Sequence, residues 1–140
     1  MRELLYKEEV FALVGFCMDI HRELWKGHDE VVYKDALTVE LEHARIPYSR
    51  ERKYEITYKG VVLPHGYRAD FVVWDKILFE AKAVERLTDS HFKQVLNYLA
   101  ASNLQLGLLT NFGADSLEWK RVVLSSETEL PVDLHAFPKN

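Results

Sequence analysis

The chain has 140 residues, about the size of one domain, and its 48% apolar, 12% aromatic and 29% charged content excludes a disordered, collagen-like or low-complexity polypeptide. Its net charge of −4 argues against a general nucleic-acid coat, yet residues 45–82 carry eight Lys/Arg against five Asp/Glu, a basic stretch able to meet phosphate. No apolar run approaches the roughly 18–20 residues of a membrane span, the acidic start Met1–Glu9 is no secretory signal, and the single Cys17 can form neither an intrachain disulfide nor a thiolate metal cage, so a cytoplasmic protein is expected.

In chain order, residues 8–25 have helical spacing, with Val10, Phe11, Val14, Cys17, Met18, His21, Leu24 and Trp25 on one broad stripe ended by Gly27. Asp29 is a plausible N-cap for a second helix from Glu30 to about Ala44, which Pro47 prevents from continuing. Tyr54, Ile56 and Tyr58 alternate as in a strand, Lys59-Gly60 turns the chain, and Val61–Leu63 is a short strand. Residues 67–74 and 77–84 predict two longer strands around Asp75. Thr88 caps a helix from Asp89 to about Ala101, Leu104–Thr110 reads as a buried strand, and Trp119–Leu124 as an edge strand carrying Lys120-Arg121. The pattern predicts a single α/β (α+β) domain over 1–140, a mixed central sheet flanked by helices, with its core at about 8–124 and a C-terminal tail 125–140.

Asp70, Glu80 and Lys82 fall in strands too apolar to lie at a wet edge. Buried unpaired charges cost several kcal/mol, so these three either pair with one another or hold a divalent cation such as Mg²⁺ or Mn²⁺. Asp70 and Glu80 can share one cation only if they lie on one face, which requires a hairpin centred on Asp75 with an odd connection, or an even one corrected by a bulge. Glu30, three and seven residues before Tyr33 and Leu37, faces the core if Leu37 does. His91, Gln94 and Tyr98 form a polar stripe on the third helix.

Asp70 followed by Glu80-Ala81-Lys82 resembles the D…(D/E)-x-K signature of the PD-(D/E)XK nuclease superfamily, with Ala69 where the motif name has Pro. Gly27-His28-Asp29-Glu30-Val31-Val32-Tyr33 resembles the motif that names a narrower branch, the GxxExxY family. Blocks at Ala69–Val73, Glu80–Val84, His91–Leu99 and Gly107–Gly113 follow in the same order. The resemblance implies an α-β-β-β-α-β core. It implies Asp70, Glu80, Glu30 and the Ala81 carbonyl as metal ligands, Lys82 as the catalytic lysine, and Gln94 and Tyr98 as residues that position the strand or Lys82. A metal-dependent nuclease is therefore expected, acting on DNA rather than RNA, with Arg50, Arg52, Lys53 and Arg68 as candidate phosphate contacts. The competing expectation is a non-catalytic nucleic-acid- or protein-binding module whose charged trio is a structural ion-pair network. A domain of this size has little surface for sequence recognition, so specificity is expected from a homodimer or a protein partner.

Overall fold

The computed structural model describes residues 4–124. Two helices, α1 (Lys7–Leu24) and α2 (Glu30–His43), precede β1 (Tyr48–Tyr54), the short β2 (Thr57–Tyr58) and β3 (Val61–Val62), then β4 (Tyr67–Val73) and β5 (Ile77–Lys82). Helix α3 (Asp89–Ser102), β6 (Leu106–Asn111) and β7 (Glu118–Val123) complete the order. Five strands form one mixed sheet in the order β1-β4-β5-β6-β7, with β5 and β6 parallel and the other pairs antiparallel. β2 and β3 pair only with each other.

The sheet has helices on both faces. On one, α1 and α2 bury Leu13, Cys17, Tyr33, Leu37 and Leu41 against Phe71, Phe79 and Leu108. On the other, α3 buries Val95 and Leu99 against Val72, Leu78 and Leu109. Burial on both faces is what the continuous apolar runs of β5 and β6 demand. The buried face of α1 is Val10, Leu13, Val14, Cys17, Ile20 and His21. The helical period is the expected one, but the face is rotated from the expected stripe. Phe11 is 82% exposed, and Met18 and Trp25 are also exposed.

Between α1 and α2 the chain turns through Gly27 at φ +110°, where a side chain would be strained. The Tyr33 hydroxyl donates to the Trp25 carbonyl at 2.6 Å and accepts from the His28 N–H at 3.2 Å, while its ring stacks on Phe112 at 4.7 Å. Gly27 and Tyr33 thus fix the entry of α2. At the head of α3 the His91 Nδ1 accepts from the Thr88 N–H at 3.0 Å, closing the N-terminus of the helix. His91 is therefore bound into the cap of the helix.

Strand β1 begins at Tyr48, six residues before the alternation at Tyr54. Residues 49–53 are Ser, Arg, Glu, Arg and Lys, and that polar run has no apolar period to betray a strand. Tyr54 ends β1, and Tyr58 belongs to the separate β2–β3 arm. β7 lies at the sheet edge, where its Lys-Arg pair is expected. No helix among the described residues is long and apolar enough to cross a membrane. The expected tail 125–140 lies outside the described residues.

Candidate functional site

The β4–β5 ladder pairs Phe71 with Phe79, Val72 with Leu78 and Val73 with Ile77. The connection is therefore the odd, three-residue one centred on Asp75, with Trp74 and Asp75 at φ +55° and +59°. This register brings Asp70 opposite Glu80. Backbone and side chains interlock there: the Asp70 N–H donates to Glu80 Oε2 at 2.8 Å, and the Ala81 N–H donates to Asp70 Oδ2 at 2.8 Å. Two carboxylates take the place of the ladder hydrogen bonds where the strands part.

On the other side of β4 the β1 ladder pairs Arg50 with Phe71 and Arg52 with Ala69 but skips Glu51 and Asp70. Glu51 sits at φ +59°, a left-handed position for a non-glycine residue. That break lets Glu51 and Asp70 converge on Lys34 of α2. Lys34 Nζ lies 2.6 Å from Glu51 Oε2 and 3.0 Å from Asp70 Oδ1, with the side chains of Lys34 and Asp70 each 11% exposed. Burial works to lower the Lys34 pKa, but the hydrogen bonds to Glu51 and Asp70 outweigh it and hold the ammonium above its ordinary range.

Glu80 has no comparable cation. Burial first, and the Asp70 charge second, push its carboxyl up to about 8. Among the described residues no salt bridge reaches it. Lys82, two residues on, donates to Gln94 Oε1 of α3 at 2.7 Å instead of pairing with either acid. Burial, followed by the charges of Glu80 and Asp70, also pushes the Tyr98 hydroxyl up to about 12, and its ring lies 4.8 Å from Tyr67. Glu30, in the first turn of α2, is half-buried; burial and then the Asp70 charge raise its pKa.

The structure thus brings Asp70, Glu80, the Ala81 backbone, Lys82, Gln94 and Tyr98 together and places Glu30 within electrostatic reach. It does not gather the expected three-carboxylate set. Among the described residues no group of three or more His, Cys, Asp or Glu is disposed to hold a metal ion. Asp70 is instead engaged at both oxygens, and the cluster as folded is an ion-pair and hydrogen-bond network. The expected pairing of Lys82 with an acid is also corrected, because Lys34 takes that role. Lys34 lies one helical turn after Glu30 on the same face of α2, and that spacing is the signal by which the sequence could have revealed it.

Of the four candidate phosphate contacts, two are occupied within the fold. Arg50 pairs with Asp35 and Arg52 with Asp75, each at 2.8 Å. Lys53 and Arg68 oppose each other across β1 and β4 and form no salt bridge among the described residues. A second buried polar group, Asn111 at the end of β6, fixes the segment after β5. Its Oδ1 accepts from the Val84 and Gly113 N–H groups at 2.9 and 3.0 Å, and its Nδ2 donates to the Val84 carbonyl at 2.9 Å.

Among proteins with curated descriptions, no relative matches the chain. Among solved structures it is similar to the crystal structure of SSO0001, at 16% identity and a TM-score of 0.48, over 95% of this chain and 85% of that one. The profile of the PD-(D/E)XK nuclease superfamily matches residues 7–122, a span that contains β1 to β6, all but the last residue of β7, the interlocked carboxylates and Lys82, and the chain belongs to that superfamily.

Proposed function

We propose that the domain binds nucleic acid, DNA in preference to RNA, as a member of the GxxExxY branch, with the Lys34–Asp70–Glu80 cluster as a structural network. The carrying observation is the Lys34 ammonium between Glu51 and Asp70, which with the Ala81 N–H occupies both Asp70 oxygens. Gly27, Glu30 and Tyr33 at the branch's spacing support the narrower assignment, and superfamily membership, with Lys53 and Arg68 in no salt bridge among the described residues, supports a phosphate-bearing ligand.

Glu80 favours a second reading, phosphodiester hydrolysis dependent on Mg²⁺ or Mn²⁺. A buried carboxyl with no salt bridge among the described residues, next to a second carboxylate, is an environment that a divalent ion would neutralise. Asp70, Glu80 and the Ala81 carbonyl are oxygen donors of the type such ions take, and Glu30 would have to move in to join them. A bound ion would supply Lewis acidity to a phosphate oxygen and a more acidic water. Lys82, steered by Gln94, would present its charge to the developing oxyanion. Tyr98 would carry a neutral hydroxyl beside it.

Fluorescence anisotropy of labelled DNA and RNA strands in EDTA, followed by gel assays with Mn²⁺, tests both. Binding in EDTA with no cleavage and no Mn²⁺-dependent rise in melting temperature supports the module. Cleavage and a melting rise, both lost in Asp70→Asn, establish the nuclease instead. Failure to bind any nucleic acid refutes the first reading.

A further inference from the structure

Residues 55–66 interrupt the β1–β4 pair between Tyr54 and its partner Tyr67, and they stand out from the main sheet as the β2–β3 arm. Every residue of both arm strands is exposed, Tyr58 at 60% and Val61 at 62%. An isolated two-stranded hairpin is marginal in water, so this one depends on its base. There the Leu63 N–H donates to the Ile56 carbonyl at 2.8 Å. Gly66 lies so close that a Cβ would come within 2.3 Å of the Tyr54 carbonyl oxygen. The base is pinned while the apolar surface above it is left open.

Beside the base lies a groove of about 400 Å³. Its lining residues include Lys53, Arg68 and His65 together with Tyr54 and Tyr67; Glu55 is the one acid among them. The opposed pair Lys53–Arg68 and the opposed pair Tyr54–Tyr67 present their side chains to opposite faces of the two strands at this end of the sheet. The groove is therefore cationic in a chain of net charge −4. Tyr67 of the groove packs its ring 4.8 Å from that of Tyr98, whose hydroxyl feels both Glu80 and Asp70. Cations on one side of this strand end and tyrosines on the other suit a flexible polymer that offers phosphates and uncovered base faces together. A duplex offers the phosphates but keeps its base faces stacked inside, and would leave Tyr58 and the tyrosines of the groove unused.

We propose that the β2–β3 arm and the groove at its base form a seat for single-stranded nucleic acid, leading the strand past Tyr67 to the Asp70–Glu80 cluster. This rests on the nucleic-acid reading above and assigns it a strand form and a path. Phosphates meet Lys53, Arg68 and His65, and bases stack on Tyr58 and Tyr67.

The test is fluorescence anisotropy in EDTA with a labelled oligothymidine and a hairpin duplex of equal length, across a salt series. Wild type should bind the single strand at least several-fold more tightly. The Lys53→Ala/Arg68→Ala double variant should lower the salt slope by about 1.4, for two phosphate contacts on a single strand. Tyr58→Ser, on an exposed hairpin where folding is not at stake, should weaken single-strand binding by roughly 5-fold or more, as loss of one stacking platform does. Melting temperatures of each variant within about 2 °C of wild type confirm that folding is intact. Lys120→Ala, on the distant β7 edge, should bind as wild type. Single-strand binding unchanged in both the Lys53/Arg68 and the Tyr58 variants overturns the seat while leaving the nucleic-acid reading in place. Equal or tighter binding of the duplex also overturns it. No binding of either probe by wild type overturns the reading on which it rests.

Discussion

Replacing Lys34 by Met keeps most of the apolar stem of the side chain and removes the ammonium with its charge and its N–H donors. In wild type the ammonium meets Asp70 at 3.0 Å and Glu51 at 2.6 Å, with Glu80 in direct contact beyond Asp70. At an effective dielectric constant near 20, each such contact has a gross Coulombic energy of about 5–6 kcal/mol, most of it offset by desolvation of the partners. Truncating one partner of a buried pair costs about 3–5 kcal/mol, because the other charge is stranded. Glu51 is 39% exposed and can turn to water, which reduces the loss to about 2–3 kcal/mol. For a domain of this length that is a fall in melting temperature of roughly 6–12 °C. Circular-dichroism melts at pH 7 in EDTA measure it, and a fall below about 2 °C would refute the argument that Lys34 holds the cluster together.

Glu80 makes the stability of the metal-free protein depend on pH. Its carboxyl stays protonated in the folded chain up to about pH 8, whereas in the unfolded chain it ionises around its ordinary value of 4.5. Over that interval the unfolded state binds fewer protons, so stability should decline as pH rises from about 4.5 to 8 and level off above it. Urea titrations across that range should show the slope in wild type and its loss in Glu80→Gln. Tyr33→Phe removes the hydroxyl that bridges Trp25 and His28, and should cost about 1–2 kcal/mol in a urea melt. Asn111→Ala leaves the Val84 and Gly113 amides without their side-chain partner and should cost about 3 kcal/mol by the same measurement.

Much of this fold is legible in the sequence because burial writes its period directly. Leu37, Val95 and Leu99 mark helix faces, and Val72–Val73 and Ile77–Phe79 mark strands buried on both sides. The odd hairpin was readable from the demand that Asp70 and Glu80 meet. What escapes is set by polar contacts, which have no period. β1 is mostly polar because it runs at the sheet edge, so its first six residues look like loop. The spacing of Lys34 after Glu30 hints at its face, but its partners Glu51 and Asp70 are set only by the break in β1 at Glu51, which no sequence period marks. The rotated face of α1 has a related cause: hydrophobicity alone cannot say which of two adjoining apolar arcs, through Phe11 or through Leu13, meets the sheet.

The three-residue connection between β4 and β5 makes the site a question of register. Asp75 and Lys76 pair with Arg52 and Glu9 and not with the site, yet the ladder that the turn closes decides which residues face each other. A slip of β5 by one residue against β4 would leave every site residue intact in the sequence and send the two acids to opposite faces. A residue added within the turn is a milder change, because a four-residue connection can close the same ladder. The meeting of Asp70 and Glu80 is thus held by the apolar pairs Phe71–Phe79, Val72–Leu78 and Val73–Ile77, which touch neither carboxylate's chemistry. The site is encoded there in its neighbours' hydrophobicity rather than in its own residues.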